Sequence, residues 1–235
     1  MNWNNNVLEN WDYENISNLE EKMTLAKIIA GKVKEGQVIG FGSGSTSFLA
    51  AKEIAKKIKK DGINIKAIPT SLEIKMLCSY LGIPTTSLLE NKPDWSFDGA
   101  DEVDSNNWLL KGRGGAMFKE KMNMVNSKIT YILVDESKLV NKLGTNFKIP
   151  IECTKENINY IKEQIIKLGG TDIIIRKAVG KDGPIITEND NIILDAKFND
   201  IDENLEKNIK KIVGVIESGL FIGYNVEIIS TKKNN

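Results

Sequence analysis

The sequence predicts an α/β protein, a Rossmann-like doubly wound parallel sheet with a second, smaller α+β domain of ferredoxin-like type. Three observations lead there. A short apolar run, a Gly/Ser turn and an amphipathic helix follow one another over residues 37–60, the opening unit of a doubly wound fold. Strand-like and helix-like segments then alternate as far as residue 134. Beyond about Thr145 the order becomes strand, helix, strand, strand, helix, strand, a pattern that suits a ferredoxin-like unit.

Met1 to Asn18 is a polar, Asn-rich lead-in. Leu19 to Lys34 reads as a helix, with Leu25, Ile28, Ile29 and Val33 at helical spacing and Gly36 as its stop. Gln37–Phe41 is a strand, Gly42–Thr46 a turn and Ser47 to Lys60 a helix. Ile63–Ile68 is a strand, Ser71–Leu81 a helix, Thr85–Leu88 a short strand and Trp95–Asp98 another strand. Ala116–Ser127 is a helix leading to the strand Ile129–Val134. The small domain starts with the strand Ile149–Cys153 and the helix Asn157–Leu168, followed by the turn Gly169-Gly170. Strands Asp172–Val179 and Asn191–Lys197 flank the turn-rich Gly180–Asn191, and helix Leu205–Ile212 and strand Val215–Phe221 follow. The apolar run Val226–Ile229 is expected to return to the first sheet, and Lys232–Asn235 to be a solvated tail. The expected division is an extension at 1–18, a catalytic domain at 19–144 plus 222–235, and a small domain at 145–221.

Composition narrows the function. The chain has 235 residues, with 32 basic and 32 acidic side chains and no net charge. That balance argues against a nucleic-acid or anionic-membrane partner. No run of about eighteen apolar residues occurs, as a membrane span would need, and the N-terminus has no signal-peptide pattern, so the cytoplasm is expected. Cys78 and Cys153 are in no metal-ligand spacing and read as buried hydrophobes. Histidine is absent, which excludes Ser-His-Asp and Cys-His nucleophile systems and leaves Asp, Glu, Lys, Tyr or Cys to move protons. Trp3, Trp11, Trp95 and Trp108 form no nucleic-acid stacking pattern.

Three segments can carry chemistry. Gly42-Ser43-Gly44-Ser45-Thr46 presents hydroxyls and backbone amides at a helix N-terminus, a place for one phosphate. It lacks the lysine of a P-loop and the third glycine of a dinucleotide fingerprint. A capped turn without ligand is the bland alternative. Asp98-Gly99-Ala100-Asp101-Glu102-Val103-Asp104 crowds four acids at a strand end. It suits proton chemistry, a hard cation or a merely solvated loop. Lys111-Gly112-Arg113-Gly114-Gly115-Ala116 runs into the helix that carries Glu120. Glu120 is either a rigidly held base or an exposed acid paired with Lys119 or Lys121. Lys138 and Lys22, taken alone, read as surface lysines.

In this order and spacing the segments resemble the type A ribose-5-phosphate isomerase family. The quoted motifs are Gly42–Thr46, Asp98–Glu102, Lys111–Ala116 through Glu120-Lys121, and Asp135-Glu136-Ser137-Lys138, with further likeness at Lys167–Gly170, Asn191–Asp195 and Gly219–Phe221. The resemblance spans residues 20 to 230. It implies interconversion of ribose 5-phosphate and ribulose 5-phosphate through an enediolate, as in the non-oxidative pentose phosphate pathway, without metal or cofactor. It implies Glu120 as base, Lys111 as the cation near the enediolate, and Asp98 and Asp101 as helpers in ring opening and proton movement. Ser43, Gly44, Ser45 and Thr46 match phosphate contacts. Gly99, Ala100, Gly112, Arg113, Gly114 and Lys138 are carried over as further substrate contacts, and Lys22 falls where the family can place a phosphate lysine. A homodimer or homotetramer is implied, with no partner beyond the sugar phosphate. Arg113 departs from the family, where glycine is common. A positive φ there would strain an Arg by roughly 1 kcal/mol or more. Ser43 replaces a frequent Thr and keeps the hydroxyl. Two other classes compete, a sugar-phosphate sensor without turnover and a nucleotide or acyl-CoA enzyme. The first would need a DNA-binding module that neither the charge nor the lead-in offers, and the incomplete fingerprint weighs against the second.

Overall fold

Amphipathic spacing and glycine stops build the first half of the chain, for which a computed structural model describes residues 16–231. The lead-in up to residue 15, with Trp3 and Trp11, and the tail from Lys232 lie outside the described residues. Helix α1 (Leu19–Gly31) is followed by β1 (Val38–Phe41), α2 (Gly44–Asp61), β2 (Lys66–Pro69), α3 (Leu72–Leu81) and β3 (Trp95–Asp98). Next come β4 (Glu102–Val103), β5 (Leu109–Leu110), α4 (Met117–Asn126) and β6 (Thr130–Val134). The remainder is β7 (Ile149–Cys153), α5 (Ile158–Lys167), β8 (Gly170–Ile175), β9 (Ile192–Phe198), α6 (Leu205–Lys210), β10 (Val215–Ser218), β11 (Leu220–Phe221) and β12 (Val226–Ser230).

The chain divides into two compact units, and the division falls inside α4, between Lys121 and Met122. The described part of the first unit is residues 16–99, 122–136 and 225–231. Its sheet is wholly parallel, in the order β12-β6-β3-β1-β2. The chain runs outward from β1 to β2, then returns across β1 to β3. The strand order therefore reverses between β1 and β3, the switch point beside which open α/β sheets bind ligands. Ile39 and Phe41 of β1 enter a core with Leu25, Ile29, Phe48, Ile54, Ile74 and Phe97. Gly40 faces the other way, where an added Cβ would lie 2.7 Å from Ser96 Cβ and 3.0 Å from Asn123 Nδ2 of α4. Asn123 donates to Ile68 O at 2.8 Å, so its buried amide is satisfied at the sheet.

The second unit comprises residues 100–121 and 137–224. Its four-stranded sheet is antiparallel in the order β10-β7-β9-β8. With α5 and α6 in the connections, this is the ferredoxin-like arrangement. Ile151, Cys153, Ile192, Leu194 and Ala196 pack on one face with Ile161, Ile165 and Ile209. The alternate residues Pro150, Glu152, Ile193 and Asp195 point to the other face, as strand alternation requires. A second sheet of three short strands, β11-β5-β4, completes the unit.

The expectations differ from these elements in several places, among them β8, which starts at the expected turn residue Gly170 and ends at Ile175. Thr85–Leu88 is not a strand. Thr85 makes one isolated bridge to Ala67, and the Glu90 carboxylate then takes the Thr86 and Ser87 hydroxyls and folds the segment into a turn. Helix α2 begins at Gly44, so Ser45 and Thr46 belong to its first turn rather than to the loop. Val215–Phe221 splits at Gly219, whose added Cβ would stand 2.2 Å from Lys111 O. Residues 100–121, 137–144 and 222–224, expected within the catalytic domain, cluster with the small domain, in which β5 pairs with both β4 and β11.

Candidate active site

In the first unit, the turn after β1 meets the end of β3. Gly42 N donates to Phe97 O at 2.8 Å, and a Cβ on Gly42 would lie 2.2 Å from both Cγ and Oδ1 of Asp98. Only glycine permits that approach. Asp98 is 4% exposed, and its Oδ1 accepts from Gly99 N at 2.8 Å. Ser43 is the extended residue before α2, and its Oγ lies 2.7 Å from Thr70 Oγ1 and donates to Ser71 Oγ at 2.8 Å. Its hydroxyl therefore braces the turn against the end of β2. Gly44, Ser45 and Thr46 form the first turn of α2, whose N–H groups carry the positive end of the helix dipole. Lys22 of α1 is 6% exposed, and its ammonium donates to Ser45 Oγ at 3.2 Å. A cation buried beside the positive end of a helix is an arrangement that a bound anion relieves.

In the second unit, Lys111 and Glu120 come together. Lys111 is 3% and Glu120 7% exposed, and Lys111 Nζ lies 3.3 Å from Glu120 Oε2. The lysines flanking Glu120 pair with other acids. Lys119 pairs with Glu188 at 2.7 Å, and Lys121 with Glu206 at 2.7 Å and Glu217 at 2.9 Å. The exposed-acid alternative for Glu120 is thereby set aside. The loop ahead of α4 has positive φ at Gly112 (101°) and Gly115 (77°), but Arg113 is not among the non-glycine residues with positive φ. Arg113 thus costs no backbone strain, which answers the departure noted in the sequence. Asp101 Oδ2 accepts from Arg113 N at 3.1 Å. Arg176 Nη1 donates to the carbonyls of Gly112 and Arg113 at 2.8 and 2.9 Å.

The four acids of residues 98–104 do not share one task. Glu102 is fully buried and accepts from the backbone N–H groups of Gly144, Asn146 and Phe147. Asp104 accepts from Asn106 N and Trp108 N within its own turn. Asp98 falls in the first unit and Asp101 in the second. Among the described residues, no group of three or more His, Cys, Asp or Glu side chains is placed to hold a metal ion. Lys138 is half-buried in a single 3-10 turn, its ammonium 5.7 Å from the Phe147 ring centroid. Burial pushes the Cys78 thiol to about 12, and burial with the nearby Glu152 carboxylate does the same to Cys153. Both are inert hydrophobes, as their spacing implied. No helix among the described residues is long and apolar enough to cross a membrane.

Sequence reasoning missed Thr70 and Ser71, and also Arg176 with its partner Asp195. The first two stand at the carboxyl end of a parallel strand, a position that marks candidates once strand order is known. Arg176 has no local signal, because its partners are the far-off Asp195, Gly112 and Arg113.

The comparisons with known proteins point one way. The sequence profile of the family Ribose 5-phosphate isomerase A (phosphoriboisomerase A) matches residues 66–235. The chain is 41% identical over 221 residues to the Ribose-5-phosphate isomerase A of Methanocaldococcus jannaschii, covering 93% of this chain and 97% of that protein. The solved structure of ribose 5-phosphate isomerase A from the same organism superposes with a TM-score of 0.89 at 40% identity, over 92% of this chain and 96% of that one. A D-ribose-5-phosphate isomerase in complex with phospho-erythronic acid gives a TM-score of 0.87 at 36% identity, over 92% and 96% of the two chains. This chain therefore belongs to the ribose 5-phosphate isomerase A (phosphoriboisomerase A) family.

Proposed function

We propose that Glu120 is the base with which this isomerase interconverts D-ribose 5-phosphate and D-ribulose 5-phosphate through an enediolate. The observation that carries the reading is the nearly buried pair of Glu120 and Lys111, 3.3 Å apart. The Glu120 carboxylate takes the proton from C2 of the open-chain aldose, and the electron pair moves toward the carbonyl oxygen on C1. Lys111 places a fixed positive charge where that oxyanion grows, an interaction stronger in the transition state than with the substrate. Glu120 returns the proton to C1 to give the ketose. Its place on a helix supports this role, since a base must be held within hydrogen-bond reach of the carbon it serves.

The phosphate is assigned to the first turn of α2. Ser43, braced by Thr70 and Ser71, is assigned to the phosphate together with the N–H groups of Gly44 to Thr46, the Ser45 and Thr46 hydroxyls and the Lys22 ammonium. Asp98 and Asp101 assist ring opening and move protons among the sugar oxygens. Gly99, Ala100, Gly112, Arg113, Gly114 and Lys138 complete the assigned contacts. The ligand of the relative supports the substrate class. A phosphorylated four-carbon acid carries a planar, charged carboxylate in place of the two enediolate oxygens. Phospho-erythronic acid is accordingly expected to compete with ribose 5-phosphate here.

The test is turnover of ribose 5-phosphate in EDTA, wild type beside Glu120→Gln, with proton exchange at C2 followed by NMR in deuterated water. Wild-type turnover with C2 exchange, and loss of both in the variant, is the expected result. An equally active variant removes Glu120 from the mechanism. Wild-type binding without turnover points to a sensor instead. By the same resemblance the chain is expected to sediment as a homodimer or homotetramer.

A further inference from the structure

We propose that Arg176 is a positioning residue for this reaction, fixing the glycine loop that carries Lys111 and leads into the helix of Glu120. The inference rests on the reading of Lys111 and Glu120 given above. The residue follows β8, and its main chain is held on both sides, with Arg176 N donating to Ile193 O at 2.9 Å and Ile185 N donating to Arg176 O at 3.0 Å. Its guanidinium meets Asp195 of β9 through two bonds, one from Nε to Oδ2 at 2.8 Å and one from Nη2 to Oδ1. The two side chains are 18% and 15% exposed. Asp195 thus neutralises the cation and sets its plane, as a bidentate carboxylate does. The remaining nitrogen, Nη1, bridges the Gly112 and Arg113 carbonyls at 2.8 and 2.9 Å.

The two successive carbonyls converge on one donor where the backbone departs from helix and strand. Gly112, at φ 101°, supplies that departure. An added Cβ there would come within 3.2 Å of Met117 Sδ and Pro150 Cγ, so the loop is packed as well as bonded. From the other side Asp101 accepts from Arg113 N. The peptide units around Arg113 are therefore held by an acceptor just before β4 and a donor just after β8. Lys111 N is tied to Gly219 O at 2.9 Å. Arg176 secures the stretch between that tie and α4, and so the spacing of the Lys111 ammonium and the Glu120 carboxylate. A lysine at 176 would keep the charge but lose the planar fork that meets one carboxylate and two carbonyls at once.

The experiment compares wild type, Arg176→Lys, Arg176→Ala, Asp195→Asn and Glu120→Gln by kcat and KM per folded enzyme, by rescue with added guanidinium, and by hydrogen–deuterium exchange of the peptide covering residues 111–117. Misplacement by about 1 Å can cost roughly 100-fold in rate. The Arg176 variants are expected to lose about 10- to 100-fold in kcat with little change in KM. Asp195→Asn is expected to lose less in kcat, and it reads the same contact with Arg176 in place. Guanidinium is expected to restore part of the Arg176→Ala rate and none in wild type, and exchange of the loop to speed up. Wild-type kcat per folded enzyme in the Arg176 variants overturns the proposal. So does a lowered kcat with unchanged loop exchange and no rescue. Full activity in Glu120→Gln overturns the assignment of the base instead, and the loop exchange still reports on Arg176.

Discussion

The turn after β1 and the loop before α4 are both rich in glycines and polar groups, yet they are held in place differently. The first, Gly42 to Thr46, sits where the parallel sheet reverses its strand order. Its position follows from the winding of the sheet, and short-range hydroxyl bonds to Thr70 and Ser71 finish it. The second, Lys111 to Ala116, leads from a two-residue strand and has no large parallel sheet to aim it. Charged side chains do so instead, with Asp101 and Arg176 on the loop and Lys121 anchoring the helix beyond it. Topology is robust and general, whereas a set of buried charges is specific and fails when one member is removed.

The largest effect that would test this contrast is on rate. Glu120→Gln is expected to lower kcat by about 10²- to 10⁴-fold, the usual worth of a general base, with the fold intact by circular dichroism. Near-wild-type kcat would show that the second loop positions something other than the base.

Stability comes next. Lys121 meets Glu206, Glu217 and the carbonyls of Ser218 and Leu220, and stands 4.5 Å from the Phe221 ring centroid. Lys121→Met leaves the Glu206 carboxylate buried without its cation and Glu217 with Lys210 alone, and is expected to cost about 3–5 kcal/mol by urea unfolding. Gly42→Ala tests the topological turn. The added methyl must displace Asp98, and overpacking of this kind costs about 1–3 kcal/mol. Its kcat/KM is expected to fall as well, because Asp98 is the atom group displaced. A Gly42→Ala protein with unchanged stability would mean that the turn is looser than its geometry.

A pH titration separates the two regions more finely. Burial alone would raise the Glu217 carboxyl, but the Lys121 charge, bonds from Lys121 and Lys210, and the Ser218 N–H outweigh it and hold the group below its ordinary value of 4.5. A lowered carboxylate contributes stability that is present above the unfolded value and lost as pH falls through the folded one. The stability advantage of wild type over Glu217→Gln is therefore expected to be constant near neutrality and to shrink once pH drops below 4.5. An advantage that does not shrink at all below pH 4.5 would place the role of Glu217 in packing rather than charge. The smallest effect is at the cysteines. With both thiols pushed to about 12, neither Cys78 nor Cys153 is expected to react measurably with a thiol probe at neutral pH in the native state.

Much of the first unit was legible because its signals are local. Apolar spacing defines α1, and a Gly/Ser turn between a strand and a helix marks the start of α2 within three residues of its place. The return of Val226–Ile229 to the first sheet holds, with β12 pairing in parallel to β6. The three-stranded sheet of β4, β5 and β11 was not legible. Two-residue strands show no periodicity, and the pairing of β5 with β11 joins segments more than a hundred residues apart. Of the residues singled out in the sequence, Lys111 and Glu120 stand 3.3 Å apart, a contact that their motifs did not specify, and Lys22 reaches Ser45 across a separation that the helix pattern alone could not specify.

The amino-acid sequence by itself determined the alternation of elements, the glycine positions where backbone must pass closely, and the chemical inventory. A chain without histidine can move protons only with groups such as Glu120. Tertiary structure decided which charges meet. Glu120 lies beside Lys119 and Lys121 in the sequence but faces Lys111 in the fold, and Arg176 reaches back to Gly112 and Arg113. The reason is physical. Helix and strand preferences act over a few residues, whereas a buried charge must find its partner wherever the packing of whole elements brings one.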